Sequence, residues 1–467
     1  MLDDEFYQSP FSWRYGSDEM RRIWSEAYKH RLWRQIWVAL AEVQAEYGLV
    51  SDGQLTELKE NQNRVDLVRA AQIEAEIQHD LMAELKTFAE QCPNAAGVIH
   101  LGATSTDIED NADVLRLRQS LDLVIEKLNA LLLLFANQID DWADLTLIAF
   151  THLQPAEPST LGYRLAVYAQ DLLMDWENLR RERRHLRGKG FKGAVGTAAA
   201  YAELIGVQNL SEFETRLSTR LGLPFFPVDT QTYPRKQDYQ VISALAGLGA
   251  SLYKFAFDLR ILQSPSIGEL SEPFGAKQVG SSAMPFKRNP IQAEKIDSLA
   301  RSLAQMPRLA WDNAAHSLLE RTLDDSANRR SLLPEAFLLT DELLATATRL
   351  LSGLQVNGAV IARNLALYSP FAATERLLMA LVKAGANRQE MHEHLRQMAM
   401  AAWQEVQAGR ANPLRECLVN DPLIRGVLDE PHLRLLMDAT QHVGDAPQRA
   451  RLLSRTIRET INDRIEG

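Results

Sequence analysis

The chain has little cysteine, no excess of positive charge and no long apolar run. Only Cys92 and Cys417 occur among 467 residues, without the spacing of a disulfide framework, which favours a reducing cytosol. The formal net charge of −10 argues against binding to nucleic acid. The most apolar run, 130–136, is too short to span a membrane, and the acidic N-terminus lacks the apolar segment of a signal peptide. We therefore expect a cytoplasmic protein with neither nucleic acid nor membrane as a partner.

Stretches that alternate between apolar and polar residues are scarce as well. Helical periodicity dominates the chain, so we predict an all-α fold. Because the chain is too long for one ordinary core, two or three domains are expected. Helices are predicted at 18–48, 77–85, about 111–144, about 160–187, about 239–264, about 291–317 and 332–355. Long helices that are apolar on more than one side need partners, which indicates an oligomer.

What the chain does contain is an unusual loop at 278–295, QVGSSAMPFKRNPIQAEK. Gly280 and the two serines after it allow a ligand to approach the backbone closely, and Pro285 prevents regular structure. Lys287 and its cationic neighbours lie near these hydroxyls in sequence, and Pro290 marks the first turn of a helix. The segment is predicted to be a flexible cationic loop that leads into a helix N-terminus, where an anion can bind.

Other polar groups stand near predicted helix starts. The segment 98–113, VIHLGATSTDIEDNAD, supplies Thr104 and Ser105, which can cap free backbone donors; the same donors can instead hold a carboxylate or phosphate. His79 falls inside the helical run 77–85, and no second ligand at the spacing of a metal site accompanies it. Capping and a packed or solvated histidine are the simpler interpretations of these residues.

A second histidine lies in a different setting. The segment 150–160, FTHLQPAEPST, contains two prolines, so a loop is predicted there, and His152 is a candidate acid or base because imidazole titrates near neutral pH. The glycine-rich stretch 187–197 is predicted to be a tight turn. It lacks the preceding strand that a phosphate-binding glycine loop requires.

Seven segments in this order carry a family resemblance: SWRYGS, QHDLMAEL, HLGATSTDIEDN, FTHLQPAEPST, TQTYPRKQD, GSSAMPFKRNP and ERTLDDSANRR. GSSAMPFKRNP resembles the signature GSSxMPxKxNP of the fumarase/aspartase superfamily. Together the seven look like the adenylosuccinate lyase family, in its animal-type branch. The resemblance implies cleavage of adenylosuccinate to AMP and fumarate, and of the succinylated aminoimidazole carboxamide ribotide (SAICAR) to AICAR and fumarate, without metal or organic cofactor.

The resemblance also implies an architecture. The chain would form an N-terminal helical domain at 1–104, a central long-helix domain at 105–356 with the signature loop at 278–290, and a C-terminal helical domain at 357–467. Four copies would assemble into a homotetramer around a twenty-helix bundle, and each site would take segments from three subunits.

Elimination of an amine from a succinyl group requires a base, stabilisation of the resulting doubly charged aci-carboxylate and an acid for the departing nitrogen. By resemblance, Ser281 abstracts the proton, His152 protonates the nitrogen, and Lys287 and Glu294 support them. His79 is a second histidine, expected at the phosphate or ring end of the substrate. A serine hydroxyl is a poor base unless backbone donors and a nearby cation stabilise its alkoxide, and the signature loop offers both. The resemblance places substrate contacts at Arg14, Tyr15, His79, Asp80, Thr104, Ser105, Gln231, Lys295, Arg321, Ser326 and Arg330.

Two positions depart from the family pattern. Gln78 replaces an arginine before the His-Asp pair, and Lys295 replaces an arginine after the glutamate of the loop. Glutamine has no charge, and lysine lacks the bidentate fork of arginine, so a weaker grip on substrate phosphate is predicted. Two alternatives stay open: a sister lyase acting on argininosuccinate, aspartate, malate or a carboxymuconate, and a structural homologue without activity. The presence of both His152 and Ser281 argues against the second.

Overall fold

A computed structural model describes residues 6–438, 440 and 442–462. These residues form nineteen α-helices, two 3-10 turns and four short strands. The helices are α1 (Asp18–Ile23), α2 (Glu26–Glu46), α3 (Asp52–Asn61), α4 (Leu67–Ile77), α5 (Asp80–Gln91), α6 (Ser105–Asp141), α7 (Leu161–His185), α8 (Ala199–Ile205), α9 (Leu210–Leu221), α10 (Lys236–Gln263), α11 (Ile291–Leu303), α12 (Met306–Ala315), α13 (Asp324–Ser352), α14 (Gly358–Lys383), α15 (Arg388–Gln407), α16 (Leu414–Asn420), α17 (Pro422–Arg425), α18 (Glu430–Leu436) and α19 (Ala446–Asn462). The strands are β1 (Thr146–Thr151), β2 (Gln154–Thr160), β3 (Leu270–Ser271) and β4 (Gln355–Val356). The predicted all-α class is confirmed.

The chain divides into two compact units. Unit one contains the described residues of Met1–Leu128, Asp175–Ala250 and Ser298–Ala345, and unit two those of Asn129–Met174, Ser251–Asp297 and Thr346–Gly467. The division falls inside α6, α7, α10, α11 and α13. The three-domain division at 1–104, 105–356 and 357–467 stays a prediction.

The long helices form because apolar residues recur at helical spacing. In the unit-one part of α6, Val114, Leu117, Leu121, Val124 and Leu128 are fully buried. Steps of three and four residues place them on one stripe of the helix, and burial of that stripe supplies most of its stability. In unit two, a separate apolar core joins α14 to the shorter helices α15, α16 and α18. The sequence periodicity therefore identified the helical cores correctly.

Two helices predicted as continuous are broken. The predicted helix 18–48 is interrupted at Ser25, whose hydroxyl accepts a hydrogen bond from the Tyr28 N–H at 3.2 Å and begins α2. The predicted helix 291–317 is interrupted after Leu303, and α12 begins at Met306 with Pro307 in its first turn. Serine and proline at these positions favour helix starts over helix interiors.

The predicted helix at 77–85 is interrupted as well, although Asp80 does lie in a helix. Gln78 adopts a left-handed conformation with φ of 54°, which ends α4, and His79 caps the N-terminus of α5. The helix break stands at a glutamine, where no glycine or proline marks it in the sequence.

The predicted loop at 150–160 is part of a β-hairpin. Strands β1 and β2 pair antiparallel, with Thr146 opposite Thr160 and Thr151 opposite Gln154. A two-residue turn joins them. The two prolines exclude a helix here, as expected, but they are compatible with this two-stranded hairpin. Both strands pack against α14.

Two helices, α10 and α14, are long and apolar enough to cross a membrane by length and composition. In α10, Ile242, Leu245, Leu248 and Leu252 are fully buried, and in α14 the side chains of the apolar core are buried against neighbouring helices. Core helices of folded domains pass the same test.

Candidate active site

A charged cleft of about 140 Å³ lies in unit one. Four residues predicted to contact substrate line it: Asp80, Arg321, Ser326 and Arg330. Five carboxylates and six cationic side chains surround the cavity, contributed mainly by α2, α5, α6 and α13. So dense an arrangement of both charges is suited to a ligand that is itself charged.

Buried ion pairs form the floor of this cleft. The Arg235 guanidinium donates to Asp110 at 3.1 Å and to Asp325 at 2.6 Å, and all three side chains are almost fully buried. Arg329 donates to Asp238 at 2.8 Å. Each of these charges has its partner inside the protein, so the floor is expected to be rigid.

The rim of the cleft holds the more exposed groups. Asp80 accepts a hydrogen bond from Arg330 at 2.8 Å and another from the Leu81 N–H at 2.8 Å. Burial acts to raise the pKa of Asp80, but the Leu81 N–H and the Arg330 charge outweigh it, so the pKa is lowered and the carboxylate stays ionised. Arg321 pairs with Asp325 at 2.8 Å, while its buried Nε has no hydrogen-bond acceptor among the described residues. That donor is therefore left without a partner inside the described protein, which is uncommon for a buried polar group.

His79 and Ser105 are brought together. The His79 Nδ1 accepts the Met82 N–H at 3.4 Å, so in the neutral ring the proton is on Nε2. Nε2 lies 3.4 Å from the Ser105 hydroxyl, and the side chain of His79 is 44% exposed. The ring therefore presents a donor next to the N-terminus of α6.

Asp107, which was not among the predicted site residues, fixes the start of α6. Its fully buried carboxylate accepts the Thr104 N–H at 3.1 Å and the Lys192 and Gly193 N–H groups at 3.3 and 3.2 Å, and it pairs with Lys189. The glycine-rich segment 187–197 thus binds the chain's own carboxylate. An aspartate in the first turn, three residues after a threonine, was the available sequence signal.

Gln231 is attached to the same region through its backbone. Its carbonyl accepts from the Thr106 hydroxyl, and its N–H donates to the Glu320 carbonyl at 3.1 Å. Arg14 and Tyr15 precede α1 and do not belong to the cleft lining. The guanidinium of Arg14 is exposed and lies 5.7 and 5.9 Å from the ring centres of Trp13 and Tyr15, with no ion pair inside the described chain.

The signature loop lies in unit two and is largely exposed. The Ser281 Oγ accepts hydrogen bonds from the Ala283 and Met284 N–H groups at 3.3 and 3.1 Å. The predicted backbone donors are therefore present, although they come from the residues after the serine. A Cβ on Gly280 would lie 2.1 Å from the Lys287 carbonyl oxygen, so this close approach requires glycine.

The N-terminus of α11 is already occupied, in contrast to the anion site predicted there. The Glu272 carboxylate accepts the Gln292 N–H at 3.0 Å and the Ala293 N–H at 3.1 Å. The anion at this helix end is a side chain of the protein itself. A residue twenty positions upstream gave no sequence signal for this contact.

The other catalytic candidates in unit two do not belong to networks of buried hydrogen bonds. His152 and Leu153 form the hairpin turn with φ of 54° and 57°, and both side chains are exposed. Lys287 is also exposed, and Glu294 lies 3.8 Å from Arg260. Within the described residues, no hydrogen bond or ion pair connects His152 to the signature loop or to Glu294. Lys295, also in unit two, is half-buried.

No cluster of three or more His, Cys, Asp or Glu side chains with metal-binding geometry occurs in the part of the chain that the structure describes. Four carboxylates of the charged cleft, those of Glu26, Asp80, Asp110 and Asp113, pair with cationic side chains.

Comparison with solved structures identifies the class of fold. The 3-carboxy-cis,cis-muconate lactonizing enzyme from Pseudomonas putida superposes with a TM-score of 0.85 at 26% identity, covering 97% of this chain and 100% of that one. A fumarate lyase from Mesorhizobium sp. BNC1 superposes with a TM-score of 0.83 at 24% identity, covering 96% and 99%. The fold is that of the fumarate lyases.

Sequence comparison narrows this class. The family model described as Lyase matches residues 14–304, and that of the adenylosuccinate lyase C-terminus matches 370–451. Adenylosuccinate lyase of Schistosoma mansoni is 42% identical over 90% of this chain and 88% of its own length, and that of Saccharomyces cerevisiae is 37% identical over 100% and 97%. The chain belongs to the adenylosuccinate lyase family.

Proposed function

We propose that this protein cleaves adenylosuccinate to AMP and fumarate, and SAICAR to AICAR and fumarate. Both substrates carry a succinyl group on nitrogen. In each, a C–H bond next to a carboxylate breaks, a carbon–carbon double bond forms, and the C–N bond breaks with its electron pair going to nitrogen. The protein must accept one proton from carbon and give one to nitrogen.

Ser281 is the proton acceptor in this proposal. The observation that carries it is the pair of backbone N–H groups, from Ala283 and Met284, that donate to its Oγ. Two backbone donors stabilise negative charge on oxygen and so favour the alkoxide, which is basic enough to take the proton. Lys287, six residues on, supplies a positive charge for the same loop. The proton moves from carbon to Oγ and leaves an aci-carboxylate.

His152 is the proton donor. Its ring is exposed on a two-residue turn, so a substrate can reach it. When protonated, the imidazolium gives its proton to the departing nitrogen, and fumarate separates from AMP or AICAR. Glu294 and Lys295 are proposed to support the reaction at the α11 side, with Lys295 binding substrate.

The nucleotide end is assigned to unit one. Arg321 and Arg330 are the rim cations for phosphate, and the buried Arg321 Nε without an acceptor supports this assignment. His79 with Ser105 offers donors for the phosphate or the ring. The remaining contacts in the proposal are Arg14, Tyr15, Asp80, Thr104, Gln231 and Ser326.

The direct test follows the change in absorbance as purified protein converts adenylosuccinate. We expect turnover by the wild-type protein and a loss of about a thousandfold or more in Ser281→Ala, because a transition-state proton transfer is removed. Argininosuccinate serves as the parallel substrate. Fumarate release from argininosuccinate alone, or full activity of Ser281→Ala, would contradict the proposal.

We also propose a homotetramer with sites shared between subunits. Val167 on α7, Phe257 on α10 and Trp311 on α12 are each more than 40% exposed in the single chain, although they are large and apolar. The cleft of about 140 Å³ in the single chain is smaller than the roughly 300–1,000 Å³ of most ligand pockets, which supports a site that a neighbouring subunit completes. Light scattering measures the mass. Mixing inactive His152→Ala and Ser281→Ala chains should restore part of the activity, and no recovery after proven subunit exchange would argue against shared sites.

The proposed location is the cytoplasm. Cys92 is buried and Cys417 exposed, and both are unpaired thiols, as is typical of a reducing compartment. Fractionation of cells that express the protein, with an antibody against it, tests this location.

A further inference from the structure

The two ends of the signature loop are fastened together by one buried carboxylate. Glu272, only 3% exposed, precedes the loop, and the backbone N–H groups that it binds belong to Gln292 and Ala293, after the loop. Both of its oxygens accept from Gln292, at 3.2 and 3.0 Å. A negative charge at this helix end is also favoured by the helix dipole.

A second side chain ties the same two ends. The Gln263 Oε1 accepts the Glu272 N–H at 3.0 Å, and its Nε2 donates to the Arg288 carbonyl at 3.1 Å. Glu272 and Gln263 therefore form a clasp at the base of the loop. Every residue from 282 to 288 is exposed, so the loop has its firm attachments at the base.

A further hydrogen bond connects the base of the loop to the residue before Ser281. The Asn289 Nδ2 donates to the Gly280 carbonyl at 2.9 Å, directly next to Ser281. Asn289 itself lies between Arg288 and Gln292, which the clasp holds. A displacement of the α11 N-terminus from Glu272 would therefore pull on Gly280 and change where the Ser281 hydroxyl lies.

We propose that Glu272 is a positioning residue for Ser281, acting through the clasp with Gln263 and α11. This inference rests on the role proposed above for Ser281. Glu272 makes no hydrogen bond to Ser281 in the described structure, so its effect on turnover would be transmitted by the geometry of the loop. The loop would close over substrate from a base that Glu272 keeps fixed.

Glu269 provides a matched control. It lies three residues upstream in the same unit, is fully buried, and pairs with Arg164 at 3.0 Å and Asn364 at 3.1 Å. Glu269→Gln thus disturbs an equally buried carboxylate that does not bind α11. Both variants are made in the full-length protein, beside wild type and Ser281→Ala.

Three quantities are measured: kcat and KM for adenylosuccinate, the melting temperature, and the rate of trypsin cleavage after Lys277, Lys287 and Arg288, identified by mass spectrometry. In Glu272→Gln we expect about a tenfold fall in kcat and about a tenfold faster cleavage within the loop, because a charge-assisted contact is lost. KM should change less than kcat, since the proposed nucleotide contacts other than Lys295 lie in unit one. Glu269→Gln should leave cleavage within the loop at the wild-type rate.

Gln263→Met keeps the size of the side chain and removes the other half of the clasp. It should change kcat and loop cleavage in the same direction as Glu272→Gln, which also tests the inference if Glu272→Gln folds poorly. Equal loop cleavage in Glu272→Gln, Glu269→Gln and wild type would overturn the clasp. Faster cleavage with unchanged kcat would overturn the positioning role. If Ser281→Ala kept full activity, the proposed function would fail instead, whatever the trypsin result.

Discussion

The charged cleft of unit one and the signature loop of unit two present opposite kinds of site. In the cleft, Arg235, Asp110 and Asp325 are nearly fully buried and bonded to one another. In the loop, Ser281 is held by two backbone N–H groups, and Lys287 points into solvent. The cleft is preformed by buried ion pairs whose rearrangement would cost much free energy, whereas the signature loop is attached mainly at its base.

This difference fits two tasks. A phosphate or ribose is bound without changing its covalent structure, so a rigid arrangement of charges is sufficient and reduces the entropy lost on binding. Proton transfer requires a closed, water-excluding geometry that must open again to release products. We infer that substitutions in the loop and hairpin change kcat with little effect on stability, while those in the cleft floor change stability first.

Among the substitutions that test this comparison, the largest expected effect is at His152. Because the side chain is exposed on a hairpin turn, His152→Ala removes no buried contact and should leave the melting temperature within about 1 °C. Loss of the proton donor should lower kcat by about a thousandfold. Steady-state kinetics and thermal unfolding on the same sample separate the two effects. A large fall in melting temperature would show that His152 is a structural residue.

The cleft floor should behave in the reverse way. Asp110→Asn keeps the shape of the side chain but removes one of the two carboxylates that neutralise the buried Arg235, and should destabilise the protein by about 3 kcal/mol. Asp18→Asn, which breaks the exposed Arg21–Asp18 pair, is the control and should be nearly silent. Chemical denaturation measures the free energy of unfolding of both variants. Equal stability of the two would contradict the conclusion that buried ion pairs preform the cleft floor.

The contrast between buried helices and an exposed loop could largely be predicted from the sequence, because the signals for both are local. Apolar spacing along α6 identified a buried stripe, and the letters of 278–290 identified an exposed loop with a hydroxyl and cations. Asn357, directly before Gly358, caps α14, and an Asn-Gly pair is itself a local signal of a break. In each case the cause lies within a few residues of the effect.

Contacts between residues that are far apart in the sequence could not be predicted. Asp107 binds Lys189, and Glu272 binds the α11 N-terminus, across separations that no spacing rule covers. A loop was predicted at His152, but the hairpin was not, because the left-handed turn residues are not glycine or asparagine, the usual residues of two-residue hairpin turns. The helix end at Gln78 was missed for the same reason.

The pH dependence of the cleft gives a smaller effect. Burial first, then the nearby Asp80, Asp110 and Asp113, raise the pKa of Glu109 to about 8. The unfolded value is about 4.3, so between these two values the folded chain binds one more proton than the unfolded chain. The free energy of unfolding therefore falls as pH rises from about 4.3 to about 8.

Glu109→Gln removes this dependence, since glutamine does not titrate. We expect the variant to melt about 2 °C or more above wild type at pH 8.5, with the difference shrinking toward pH 5. Glu26→Gln, also on the cleft lining but with a lowered pKa, should not gain stability at high pH. Parallel melting curves for wild type and Glu109→Gln would show that Glu109 titrates alike in both states.

The smallest expected effect concerns Gln78, which replaces the arginine of the family pattern and lies in sequence beside the rim residue Asp80. Gln78 is exposed and directly precedes His79 and Asp80, and Asp80 holds Arg330 at 2.8 Å. A cation at this exposed position is expected to attract substrate phosphate only modestly because water and salt screen it, so Gln78→Arg should lower KM by about threefold without changing kcat. Gln72→Arg adds the same charge to the exposed side of α4 and serves as the control. If both variants lower KM equally, the effect comes from the added net charge and not from position 78. If neither variant lowers KM, the glutamine at 78 does not weaken phosphate binding.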